Sequence, residues 1–212
     1  MSNRTTWFYA GCMPVTEATP TVRLSADERR IEICRAALRV IAERGFAGTT
    51  LRDVAAEAGV AHGLLRHYFG GRDALLAAAF DLAVTEAMAA FGDLPDDPID
   101  ALRAWFQPLN RDHYLLWIDA WSEAPRSPEL LTTLVRHEKF CVSDLKTILE
   151  RGVGSGEFTL QAPAATVAST LIATMDGLAV QDHALGLIGS RAARTRLTAV
   201  IETLAGLAPG TI

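Results

Sequence analysis

The sequence predicts an all-α protein: an N-terminal three-helix unit containing a helix-turn-helix, followed by a larger helical domain. Three observations predict it. Apolar residues recur at three- and four-residue steps, and beyond residue 96 there is no sustained period-two alternation. Helix-start signals (Ser, Thr or Pro before an apolar run) and Gly-rich stops punctuate the chain. Finally, residues 49 to 69 read TTLRDVAAEAGVAHGLLRHYF, two short amphipathic segments hinged on Gly59-Val60.

Taken in order, residues 1 to 22 are expected to form a loosely ordered arm, within which Met13 is an alternative start. Its aromatic stretch is too short for the apolar core of a signal peptide. Ser25 and Glu28 then have the spacing of a capping box, and Ile31, Cys34, Leu38 and Ile41 mark the apolar face of a first helix that closes at Arg44-Gly45. Thr50 and Asp53 repeat the capping spacing before Leu51, Val54, Ala55 and Ala58. Gly59 suits the left-handed conformation that ends a helix, and Val60 can bury between the two helices. In the second segment Leu65 and Phe69 lie four apart and face inward, which leaves His62, Gly63, Arg66 and His67 on the outer side. Such a hinge is a device for placing one helix in the major groove of DNA.

Arg72-Asp73 opens a long apolar pattern that runs to about Gly92, a lever between the N-terminal unit and the rest, before the breaker DLPDDP. Further helices are predicted from Pro98 to Phe106, from Asn110 to Glu123, and from Ser127-Pro128 to about Gly152. Pro163 and Ser190 open the last two. Those last helices are rich in small residues, among them Ala165, Ala168, Ser169, Ala173 and Gly177, then Ala192, Ala193 and Ala199, which permit close helix approach. The boundaries expected are therefore 1–22 arm, 23–72 helix-turn-helix domain, and 73–212 helical body.

Composition narrows the function. Half of the 212 residues are hydrophobic, yet no apolar run is long enough for a membrane span. Three cysteines (Cys12, Cys34, Cys141) argue against a disulfide framework and fit a reducing cytoplasm. The formal charge is −5, but residues 23 to 72 hold nine arginines against six acids, so the acidity resides in the body. The five histidines lack i,i+4 pairing and there is no CxxC or HExxH, so no metal is expected. GxSxG, P-loop and GxGxxG patterns are missing too, and no enzyme activity or cofactor is expected.

These motifs carry a resemblance. Thr49-Thr50, Ala55 to Val60, the short segment 61 to 67, Tyr68-Phe69 and Arg72 together resemble the DNA-binding domain of the TetR family of transcriptional regulators across residues 25 to 80. The form GVxxGxxxHYF, from Gly59 to Phe69, is particularly similar to regulators of the BetI type, while Arg66 and His62 depart from the commonest family residues. The resemblance implies a homodimer joined through the two C-terminal helices, a roughly palindromic double-stranded operator, and a small-molecule effector held by the C-terminal domain, acting together as a repressor.

Side-chain chemistry distributes the roles. Thr50, Tyr68 and Arg72 are expected on phosphates, Arg66 and His67 on base edges, Arg52 on either, and His62 and Gly63 at the amino end of the recognition helix. In the body, His113, Trp117 and Trp121 lie four apart and join Trp105 in an aromatic stripe that either lines a ligand cavity or packs as plain core. An aromatic cage for a quaternary ammonium compound is one use of such rings. Phe106, His137, Phe140, Met175 and Asp176 are further wall candidates. Two other classes stay open: a small helical enzyme using the aromatic pocket, and an adaptor that binds protein through the helix-turn-helix face.

Overall fold

Capping chemistry sets the helix boundaries. In the computed structural model, which describes residues 25–90, 92–107 and 111–212, the elements are α1 (Ala26–Gly48), α2 (Leu51–Ala58), α3 (His62–Phe69), α4 (Arg72–Ala90), α5 (Pro98–Trp105), α6 (Arg111–Glu123), α7 (Pro128–Ser155), α8 (Ala164–Ala179) and α9 (Ser190–Ala205). No strand occurs among the described residues. The arm expected over residues 1–22 lies outside them.

Both predicted capping boxes form. Ser25 Oγ accepts from the Glu28 amide while Glu28 accepts from the Ser25 amide, and Thr50 and Asp53 make the same reciprocal pair. Gly45 breaks α1 with φ 73° and ψ 169°, after which Phe46 to Gly48 add one further turn. Gly59 ends α2 in the left-handed conformation, φ 64°. The face of α1 that packs is rotated from the expected one: Ile33, Cys34, Ala37, Val40 and Ile41 are buried, whereas Ile31 is exposed.

Two apolar cores result. The first joins α1 to α4 with α6 and the start of α7, around Phe46, Leu65, Leu76, Phe80, Leu130 and Leu134. The second lies at the far end, where Leu102, Leu145, Leu149, Phe158, Leu171 and Ile201 bring together α5, α7, α8 and α9. The long helix α7 runs through both. The Phe158 ring lies on Gly152, where a β-carbon would collide with it, so the chain after α7 can turn back tightly onto the helix. After α8 the backbone widens into a π-turn at Val180–Ala184, which the sequence reading did not anticipate.

Candidate nucleic-acid interface and ligand cavity

The helix α3 is held from beneath and bare above. Leu65 and Phe69 are buried, while His62, Gly63, Arg66 and His67 are exposed. Arg30 on α1 secures its far end, donating to the Tyr68 carbonyl at 2.7 Å with its guanidinium 4.4 Å above the Phe69 ring. The N-cap position is Ala61, which has no side-chain oxygen to offer; the Leu64 amide bonds the Ala61 carbonyl at 2.9 Å, and no side chain caps the amides of His62 and Gly63 ahead of it. Arg52 is exposed on α2. Thr50 is exposed as well, but its hydroxyl already bonds Asp53 at 2.6 Å within the capping box.

Arg72 takes a different position from the one its place in the motif suggests. Its Nε donates to the Thr49 carbonyl at 2.7 Å and Nη2 to the Phe46 carbonyl, while Nη1 meets Asp73 at 2.9 Å and Glu123 at 3.3 Å. The guanidinium thus turns inward, clamping the end of α1 to the end of α6. The phosphate contact expected of it does not fit this geometry, because its donors are directed at protein acceptors. Asp119, one turn earlier on α6, completes the junction by accepting from the Phe46 amide at 2.7 Å, where the break at Gly45 leaves that amide without a helical partner.

On its other side α6 walls a cavity of about 490 Å³ between α4, α5, α6, α7 and α8. Of the residues expected there, Trp105, His113, Trp117, Trp121, Phe140, Met175 and Asp176 line it. Phe106 and His137 do not. Phe106 packs edge-on against Trp105 in the second core, and His137 is taken by Asp81 of α4 at 2.7 Å. Trp117 lines the cavity and also packs edge-on against Phe80 of the first core, 5.0 Å away.

Two of the cavity's indole N–H groups have acceptors: Trp117 donates to His113 Nε2 at 2.9 Å and Trp105 donates to Asp144 Oδ2 at 2.9 Å. Burial holds the His113 pKa down at about 4, so the ring is neutral and accepts that bond. Burial and, secondarily, the charge of Glu138 push Asp176 up to about 7. Burial raises Glu138 as well, partly offset by Trp121. Tyr114, stacked on His183 at 5.1 Å, is pushed up to about 12 by burial and by Asp176. Sequence reasoning missed Tyr114, Glu138 and Asp144. Each is an ordinary polar residue on a helix, and only the arrangement of neighbouring helices reveals its direction.

Comparison with known proteins bears on both regions. Residues 33–79 match the family described as bacterial regulatory proteins, tetR family, and residues 100–206 match the C-terminal domain of BetI-type transcriptional repressors. The chain is 33% identical over 165 residues to the HTH-type transcriptional regulator BetI of Burkholderia mallei (strain NCTC 10229), a match covering 71% of this chain and 79% of the relative. A second BetI, from Stenotrophomonas maltophilia (strain R551-3), is 34% identical over 112 residues, covering 48% of this chain and 57% of the relative. Among solved structures, a TetR-family regulator from Rhodococcus sp. superposes with a TM-score of 0.71 at 28% identity, covering 84% of this chain and 99% of the other. A transcriptional regulator from Saccharomonospora viridis in complex with choline shares the fold, with a TM-score of 0.64 at 23% identity and 83% and 96% coverage.

Proposed function

This chain belongs to the TetR family of bacterial transcriptional regulators, and from that premise we propose that it is a cytoplasmic repressor that binds a roughly palindromic operator as a homodimer and releases it when a small molecule fills the cavity. The observation that carries the reading is the placement of α3, anchored by Leu65 and Phe69 with Arg66 and His67 outward. Arg66 and His67 read bases; Arg52, Tyr68, His62 and the amino end of α3 meet the backbone around them. Thr50 and Gly63 allow close approach of the chain to the phosphates. The dimer forms through α8 and α9, whose exposed faces carry Ala165, Ser169, Ala173 and Gly177, and Ala192 and Ala199.

Effector binding acts through population. A ligand that fits one separation of the two reading heads better than the other shifts the dimer toward it, with a coupling of about 1 to 3 kcal/mol in such systems. The α4 helix serves as the lever. The aromatic and acidic lining suits an organic cation, and the choline held by the S. viridis neighbour is in keeping with that chemistry.

The test is selection of bound sequences from a random DNA pool, followed by a screen for compounds that release the enriched site. A two-fold-symmetric site, lost on adding a cationic compound, is the expected result. Failure to enrich any sequence would overturn the DNA-binding reading.

A further inference from the structure

The cavity lining combines indole rings with carboxylates in two groups. In one, Trp117 and Trp121, tilted at 51° with ring centroids 5.7 Å apart, share the wall with Glu138 and Asp176. In the other, Trp105 holds Asp144 at 2.9 Å. A π-face next to a carboxylate is the environment a positive charge favours, because ring quadrupole and full charge act in the same sense away from water. The Trp105 bond also fixes the Asp144 carboxylate before a ligand arrives.

We propose that the ligand of this cavity is an organic dication, one ammonium centre seated among Trp117, Trp121, Glu138 and Asp176 and the other beside Trp105 and Asp144. This rests on the reading of the cavity as the effector site. Glu138 and Asp144 are six residues apart on α7, a rise of about 9 Å, which sets the scale of the separation between the two centres. The volume of about 490 Å³ lies in the range that houses an elongated molecule and leaves room for both. Charge balance agrees. The lining acids are Asp93, Glu138, Asp144 and Asp176, facing one guanidinium, Arg151, which donates to the Pro95 carbonyl at 3.0 Å. His113 adds no charge, being neutral. A single cation would pair with one half-buried carboxylate group and leave the other without a counter-charge, whereas two joined centres satisfy both.

The test uses calorimetry on the intact protein at a pH above the titration of Asp176, with linear diamines whose nitrogens stand about 5 to 12 Å apart, bracketing the helical rise. Alkylamines of matching length serve as monocation controls. Affinity should peak at an intermediate diamine, bound at least about tenfold more tightly than its monoamine. Glu138→Gln and Asp144→Asn should each weaken that diamine by about tenfold or more, with melting temperatures confirming that both variants fold. The inference fails if no diamine binds, if monoamines match diamines at every length, or if Asp144→Asn leaves diamine affinity unchanged. Operator release is scored separately by gel shift. A diamine that binds with this pattern but leaves the operator bound supports the seat and sinks the effector reading; release by other compounds with no diamine binding does the reverse.

Discussion

Arg66 and Arg72, six positions apart, point in opposite directions, and their substitutions should separate. Arg66→Ala should cost about 1 to 3 kcal/mol of operator affinity and relax the sequence preference, read by repeating the DNA selection. Arg72→Ala leaves the buried Glu123 with Arg126 alone, removes the guanidinium donor from the Thr49 carbonyl and leaves the Phe46 carbonyl only the Thr49 amide. It should lower folding stability by about 2 kcal/mol in denaturant melts while leaving the salt dependence of DNA binding unchanged. The residue types of this region were legible in the sequence; the inward turn of Arg72 was not, since it depends on where α6 ends. Asp176 gives a third outcome. Its pKa is raised from 3.8 to about 7 in the folded chain, so between those values the folded state holds more protons than the unfolded one and stability falls as pH rises. Asp176→Asn should therefore melt higher than wild type at pH 8, with the difference vanishing below about pH 4, as thermal melts across that range would show.

Among the elements, α6 runs from the cavity wall to the junction with the N-terminal unit. One of its faces presents His113, Tyr114, Trp117 and Trp121 to the cavity; its other groups, Asp119 and Glu123, hold the Phe46 amide and Arg72. Asp119→Ala should leave ligand affinity intact but shrink the ligand-induced loss of operator affinity, measured as the ratio of operator Kd with and without ligand. An undiminished ratio would assign the coupling to α4 alone. Helix existence was legible element by element because caps and breakers are local: Ser25, Thr50, Gly59, Pro98 and Ser127 each stand where a helix begins or ends. The π-turn was not, because its signal is tertiary. It stacks His183 on Tyr114 and lets Arg111 reach the His183 carbonyl at 3.2 Å, contacts between segments far apart in the chain. The rotated face of α1 has the same origin, since Ile31 and Ile33 are equally apolar and the placement of the helices packed on α1 chooses between them.

For the whole molecule the prediction concerns phase. A two-fold dimer places its reading heads on successive major grooves about 34 to 36 Å apart, so inserting about 5 base pairs between operator halves should abolish binding and inserting a full turn should restore part of it. A gel shift over the spacer series checks this; indifference to spacing would mean that the heads act singly. The charge asymmetry that hinted at such a head was visible in the arginines of residues 23 to 72, whereas the continuity of the first core from the head into α6 and α7 was not. One further consequence follows from where the indoles sit. Trp105, Trp117 and Trp121 all line the cavity, and α1 to α4 contain no tryptophan. Ultraviolet emission from these three rings, read in a Trp7→Phe chain, is thus a built-in optical gauge of occupancy, quenched or shifted by a guest without any label.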